Sequence, residues 1–268
     1  MGTLTCKEVT MHLLDDDMGH PLGLDRHPTR VVSLVPSITE AIAATVPESL
    51  VGATDWCVQP VDLDVARVRG TKNPDHAAIA RLHPDLVVAN QEENRRIDVE
   101  RLRESGIPVW VTVVESVDQA LESLRRLLAD VLGAEVPDWL VIAAEQWRHP
   151  GEFPSSRTVV PIWRDPWMVV GPGTFCRDLV QYLGLTCLPE KSVERYPKVD
   201  LAEMKAWRPD VVLLPDEPYQ FSSDDGPEMF PDIPTALVSG RDLTWYGPSM
   251  ATARATLSAQ IAAVLDRG

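Results

Sequence analysis

Two tryptophans stand four residues apart in the stretch PIWRDPWMVVGPGTF, Trp163 and Trp167, with Arg164 between them. Indole faces beside a guanidinium suit a flat or cationic ligand, because ring faces give large contact area and attract positive charge. The plainer alternative is that one indole packs under its own loop. A second aromatic cluster, LTWYGP, holds Trp245 and Tyr246. Four carboxylates have chemistry of their own: Glu92 and Glu93 in ANQEEN, and Asp216 and Glu217 in PDEP. Converging acids raise one another's pKa and favour a bound cation or ligand amine. Solvated loop acids and helix caps are the competing reading. Cys57, in TDWCVQP, is a candidate soft metal ligand or nucleophile if a neighbour such as His76 activates it, and otherwise a small core residue. The six histidines, His12, His20, His27, His76, His83 and His149, form no HxH or HExxH pair, which gives a histidine metal centre little support. No GxSxG, phosphate-loop or dinucleotide glycine signature is present, so catalysis has little positive signal.

These residues need loops, and the loops need a frame. RVVSLV ends at Pro36 and reads as a strand. Ser37 with Glu40 three residues on predicts a capping box that starts a helix. LVGAT, PDLVVAN and PVWVTVV read as further strands, with helices at AAIARLH and IDVERLRESG, the latter closed by Gly106. From Ser116 to about Trp147 the pattern turns helical, and Pro137 is placed to break it. Alternation then resumes: strand RTVVPIW, helix GTFCRDLVQYLGL, helix DLAEMKAWR, strands PDVVLLPD and PTALVSG, and a last helix from Pro248. Strands alternating with helices predict parallel α/β sheets. ARLHPDLVVANQEE also matches KAWRPDVVLLPDEP without a gap, so the chain repeats itself. The predicted architecture is two Rossmann-like α/β lobes, residues 1–115 and 151–268, joined by a helical connector over 116–150, with the ligand cleft between the lobes. In open α/β sheets ligands meet the loops after the strands. Those loops carry Trp56, Cys57, Glu92, Glu93, Asn94, Trp163, Arg164, Trp167, Asp216, Glu217, Tyr219, Trp245 and Tyr246.

Composition narrows the function. A formal net charge of -15 argues against nucleic acid and anionic membrane surfaces as partners. No apolar run is long enough to span a membrane. Neither a basic n-region followed by an apolar run nor a lipoprotein-like segment before Cys6 is seen, which predicts a cytoplasmic location. Cys6, Cys57, Cys176 and Cys187 show no metal-ligand spacing and read as free thiols.

RVVSLVPSITEAIAA, VGATDWCVQP, IARLHPDLVVANQEEN and LRESGIPVWV together resemble the N-lobe of the class III periplasmic binding proteins, also called helical-backbone metal receptors. The similarity runs from about Arg30 to the last helix. It implies a two-lobed solute-binding protein of the ABC-transporter type, whose members hold cobalamin, haem, siderophore complexes or metal ions. Pro36 matches a corrin-contacting proline of the cobalamin binders, Trp56 a contacting tyrosine, and Tyr196 a contacting tryptophan. Thr71 and Asn90 stand where those binders have tryptophans, and Trp245 near a contacting arginine. Family members dock on a permease through a glutamate on each lobe; Ala77 and Ala202 occupy those positions, which argues against docking to an ABC permease unless the neighbouring Asp75 and Glu203 substitute. The expectation is a cytosolic solute-binding protein for cobalamin or a similar metal chelate, with no required cofactor. Two alternatives stay open. One is a haem or siderophore binder, with Tyr196, Tyr219 or Tyr246 ligating iron. The other is an enzyme or enzyme accessory protein using the acidic loops.

Overall fold

The computed structural model describes residues 12–151, 153 and 156–265, so the expected free thiol Cys6 lies outside the described residues. The chain divides into two compact units: Met1–Val113 with Ser123–Pro137, and Val114–Glu122 with Asp138–Gly268. Each is an α/β unit around a parallel sheet, as the alternation predicts.

The first unit opens with an antiparallel hairpin, β1 (His12–Asp15) and β2 (Pro21–Leu24). β3 (Val31–Ser33) then leads into α1 (Pro36–Ala43), β4 (Leu50–Ala53) and β5 (Ala66–Arg67). A short hairpin, β6 (Arg69–Gly70) and β7 (Asn73–Pro74), precedes α2 (His76–Arg81), β8 (Leu86–Asn90), α3 (Arg96–Glu104) and β9 (Val109–Thr112). The five-stranded sheet has the order β5-β4-β3-β8-β9 and is parallel throughout. Every residue of β8 is buried, which is why LVVAN is an unbroken apolar run ending in one amide. Its core joins Val32, Leu34, Val87, Ala89 and Val111 to Ile79 and Leu102 from the covering helices. Asp98 in the first turn of α3 and Arg101 and Arg103 in the last complement the helix dipole, and Gly106, at φ 77°, turns the chain out of it. The cap of α1 departs from expectation. Val35 is the N-cap with no side-chain bond, Pro36 begins the helix, and Ser37 lies buried inside the first turn. Proline supplies the helical φ without needing a donor, so no capping box forms.

The helical stretch after β9 is two helices. α4 (Val117–Arg125) continues into a wider π turn, Arg126–Val131. After a break, α5 (Asp138–Gln146) starts directly beyond Pro137, where a missing N–H costs a helix least.

In the second unit, β10 (Arg157–Val159) is followed by β11 (Pro161–Trp163) and β12 (Met168–Val169), which pair as an antiparallel hairpin. RTVVPIW is therefore two strands rather than one, because Pro161 cannot donate to the parallel ladder and the chain leaves the sheet there. Then come α6 (Phe175–Tyr182), β13 (Thr186–Leu188), α7 (Leu201–Ala206), β14 (Val211–Pro215), β15 (Thr235–Val238), α8 (Gly240–Thr244) and α9 (Met250–Leu265). The sheet order is β13-β10-β14-β15, all parallel. Among the described residues no helix is long and apolar enough to cross a membrane.

Candidate functional site

The strand orders locate where a ligand can enter. In the first unit, β3 passes through α1 to β4 on one side, while β8 passes through α3 to β9 on the other. The helices diverge, and a crevice opens beyond the carboxyl ends of β3 and β8. In the second unit, β10 and β14 are placed the same way.

At the first crevice Pro36 is half-buried at the head of α1, and the loop Gln91–Asn94 follows β8. Two buried amides build that loop. Asn90 Oδ1 accepts the backbone N–H of Glu92 at 2.8 Å and of Glu93 at 3.2 Å. Its Nδ2 donates to Thr112 O at 3.2 Å and Thr112 Oγ1 at 3.1 Å. Asn94 Oδ1 accepts the N–H of Asn90 at 2.8 Å, and its Nδ2 donates to Leu34 O at 3.3 Å and Thr71 O at 2.9 Å. Lys72 adds a bond from Nζ to Glu92 O at 2.5 Å. The loop is thus tied to the ends of both β3 and β9, with Glu92 exposed and Glu93 half-buried. Burial, and then the neighbouring Glu92, push Glu93 up to about 7, against the pull of Lys72.

Trp56 is 67% exposed, and a Cβ on Gly70 would stand 3.2 Å from its Nε1. The indole lies against the β6–β7 hairpin where a side chain is absent. Val58 and Val61 on the same loop are also exposed. Cys57 points the other way. It is fully buried, 3.0 Å from Thr39 Oγ1 and 3.1 Å from Thr54 Oγ1. Burial raises its pKa, which keeps the thiol protonated and unreactive. His76 does not activate it; its Nε2 lies 3.2 Å from Asp98 Oδ1.

In the second unit the β11–β12 hairpin presents Trp163, 45% exposed, edge-on to Tyr219 with ring centroids 5.7 Å apart. Trp167 faces inward. It stacks on Phe221 at 5.9 Å and meets Phe230 edge-on, all three buried. Arg164 is held by Asp225 and Glu228, the latter at 2.7 Å, and lies 5.5 Å over the Trp167 ring. Tyr219 donates its hydroxyl to Asp225 at 2.6 Å. After β14, Asp216 is exposed and accepts the N–H of Gly240 at 2.7 Å. Glu217 is half-buried and pressed on Gly240, where a Cβ would stand 2.5 Å from its Cγ. Burial and then Asp216 raise its pKa, while Trp245 donates to it and Arg241 lies near. Arg241 also lies 5.9 Å over the half-buried Trp245 ring. Tyr246 is buried, edge-on to Phe175 at 5.6 Å. Tyr196 is half-buried.

The candidate residues therefore sort into two groups. Trp56, Glu92, Trp163 and Asp216 are exposed, while Pro36, Glu93, Arg164, Tyr196, Glu217, Tyr219 and Trp245 are half-buried. Cys57, Asn90, Asn94, Trp167 and Tyr246 are buried and support the loops from beneath. Sequence reasoning missed Lys72, Asp225 and Glu228. The run SSDDGPE offered acids for Arg164 to pair with, but nothing local marked which ones. Among the described residues no group of three or more His, Cys, Asp or Glu is placed to hold a metal ion. Ala77 and Ala202 are exposed in the first turns of α2 and α7.

No family profile matches the chain. Over 205 residues, 73% of this chain and 74% of the relative, it is 25% identical to the vitamin B12-binding protein of Pectobacterium carotovorum subsp. carotovorum. The periplasmic vitamin B12-binding protein BtuF of Vibrio cholerae superposes with a TM-score of 0.68 at 16% identity, covering 87% of this chain and 96% of that one. The periplasmic haem-binding protein BhuT, in complex with two haems, gives a TM-score of 0.73 at 19% identity, covering 90% and 100%. The likeness to class III periplasmic binding proteins, read from the N-terminal motifs, thus extends as a fold over most of the chain.

Proposed function

We propose that this chain is a solute-binding protein for a flat metal chelate of the corrinoid or haem type, and that its ligand is a corrinoid. The observation that carries the reading is the placement of an exposed indole at the crevice loops of each unit, Trp56 in one and Trp163 in the other. Exposed tryptophan on a rigid loop is contact area held ready for an aromatic or macrocyclic ligand. The similarity to vitamin B12-binding and haem-binding proteins supports the ligand class. Two features favour a corrinoid. Of the three tyrosines considered for iron, Tyr219 already donates its hydroxyl to Asp225 and Tyr246 is buried, which leaves the half-buried Tyr196 to carry the haem alternative. Arg164, the guanidinium flanked by the tryptophans, is committed to Asp225 and Glu228 and is not offered to a propionate. A macrocycle whose metal keeps its own axial ligands asks only for surface and hydrogen bonds. A cytosolic location is part of the same proposal, supported by the buried free thiols Cys57 and Cys187. Recovery of the protein outside the cytosolic fraction of its host would overturn that part.

Equilibrium dialysis of the purified protein against cyanocobalamin and against haemin tests the reading. Saturable uptake of one cyanocobalamin per chain is expected. Saturable uptake of haemin alone would replace corrinoid by haem, and uptake of neither would overturn the solute-binding assignment.

A further inference from the structure

The solute-binding reading leaves open what distinguishes one macrocycle from another, and one carboxylate is built to do so. The Glu93 carboxylate accepts no hydrogen bond and forms no ion pair with a described residue, yet the Glu93 backbone N–H is held by the buried Asn90. Asn90 accepts its N–H, Asn94 ties the loop to Leu34 and Thr71, and Lys72 ties it to the 69–74 hairpin. All of that hydrogen bonding goes to backbone atoms and leaves the Glu93 side chain as an acceptor without a donor. A half-buried carboxylate in that state costs free energy unless something donates to it. A protein that spends two buried amides on fixing such a group gains from it only when the donor arrives.

The surrounding charges define that donor. Glu92 and Lys72 act on Glu93 directly, and the buried Cys57 thiol feels its charge. Lys72 already donates to Glu92 O. Arg67 donates to the carbonyls of Thr54, Cys57 and Leu63. Arg95 pairs with Asp98, and Arg96 with Glu100. These three guanidinium groups are therefore committed, while Glu92 is exposed and Glu93 half-buried beside it. A ligand edge carrying carboxylates, as a porphyrin's propionates do, meets repulsion from Glu92 and Glu93. A ligand edge carrying primary amides, as a corrin's acetamides and propionamides do, meets an acceptor already in place.

We propose, on the basis of the solute-binding reading above, that Glu93 is a specificity-determining residue: the Asn90–Asn94 clamp fixes its carboxylate to accept an amide N–H, so that an amide-edged macrocycle is chosen over a carboxylate-edged one. The neutral Glu93→Gln side chain has the same shape and keeps an acceptor oxygen, but removes the repulsion.

The test compares cyanocobalamin with its monocarboxylate derivatives, in which one peripheral amide is hydrolysed, by titration calorimetry at pH 8. In the wild-type protein at least one monocarboxylate binds about tenfold or more weakly than cyanocobalamin. In Glu93→Gln that ratio falls to near one, while the thermal midpoint confirms a folded chain. Glu93→Asp, which keeps the charge, retains the discrimination. Cyanocobalamin bound by the wild type with every monocarboxylate equal to it overturns the role of Glu93 and leaves the solute-binding reading standing. A ratio unchanged in Glu93→Gln does the same. No cyanocobalamin binding at all overturns the reading on which the inference rests.

Discussion

The side-chain oxygen of Asn90 accepts the backbone N–H of Glu93 at 3.2 Å from within the last residue of a fully buried strand. The same oxygen holds Glu92 N at 2.8 Å, so one amide at the end of β8 shapes the whole acidic turn. Replacing it tests whether the turn is a built feature. Asn90→Ala leaves the N–H groups of Glu92 and Glu93 without their acceptor, removes two bonds to Thr112, and should cost about 1–3 kcal/mol in urea unfolding. It should also weaken ligand binding, because Glu93 is no longer fixed. A variant as stable as the wild type would show that the clamp carries no weight.

Glu93 gives stability an inverted pH dependence. Its folded pKa, about 7, is raised above the ordinary 4.5 by burial and by Glu92. The folded state therefore binds the extra proton between those values. This contribution to stability is fully present below about 4.5 and is lost as pH rises through 7, on the order of 1–3 kcal/mol in all. Glu93→Gln cannot lose it. Unfolding curves from pH 5 to 8 should show the variant gaining on the wild type as pH rises; parallel curves would contradict the shift.

The two tryptophans of the β11–β12 hairpin should separate cleanly. Trp167 is stacked on Phe221 and enclosed by Phe230, so Trp167→Ala opens a cavity and should cost about 3–5 kcal/mol of stability. Trp163 is 45% exposed, so Trp163→Ala should cost about 1 kcal/mol or less. Its loss should appear in cyanocobalamin affinity, by about tenfold. Equal stability losses would contradict the inward and outward assignment.

Cys57 should be inert in the native protein. Its thiol is fully buried between Thr39 and Thr54, and burial raises its pKa. Iodoacetamide at pH 8 should leave it unlabelled in the folded chain and label it fully in urea, read by peptide mass. Rapid native labelling would revive it as a nucleophile.

Much of the fold was legible because burial leaves a pattern in the chain. LVVAN and VVLLP are apolar runs that only a strand covered on both faces needs, and each became the inner strand it suggested. The repeat linking ARLHPDLVVANQEE to KAWRPDVVLLPDEP reported that two sheets share one plan. Caps and turns were less legible, since they depend on who arrives from elsewhere. Ser37 had the spacing of a capping box, and Pro36 took the position first. Trp163 and Trp167 look alike in sequence, and only Phe221 and Phe230, more than fifty residues on, decide which is core. Asn90 entered as a ligand contact because it stands where the cobalamin binders have a tryptophan. Its partners are backbone groups and the Thr112 hydroxyl, which carry no local sequence signature.

The central claim is that this chain binds a corrinoid and that exposed indole is part of the contact. Tryptophan fluorescence titrated with cyanocobalamin tests it most directly, because the corrin absorbs where indole emits. Wild-type protein should be quenched saturably at low micromolar ligand or below, beyond the inner-filter correction set by free tryptophan, with weaker quenching and affinity in Trp56→Ala and Trp163→Ala. Quenching that follows the free-tryptophan control in all three proteins would contradict the account.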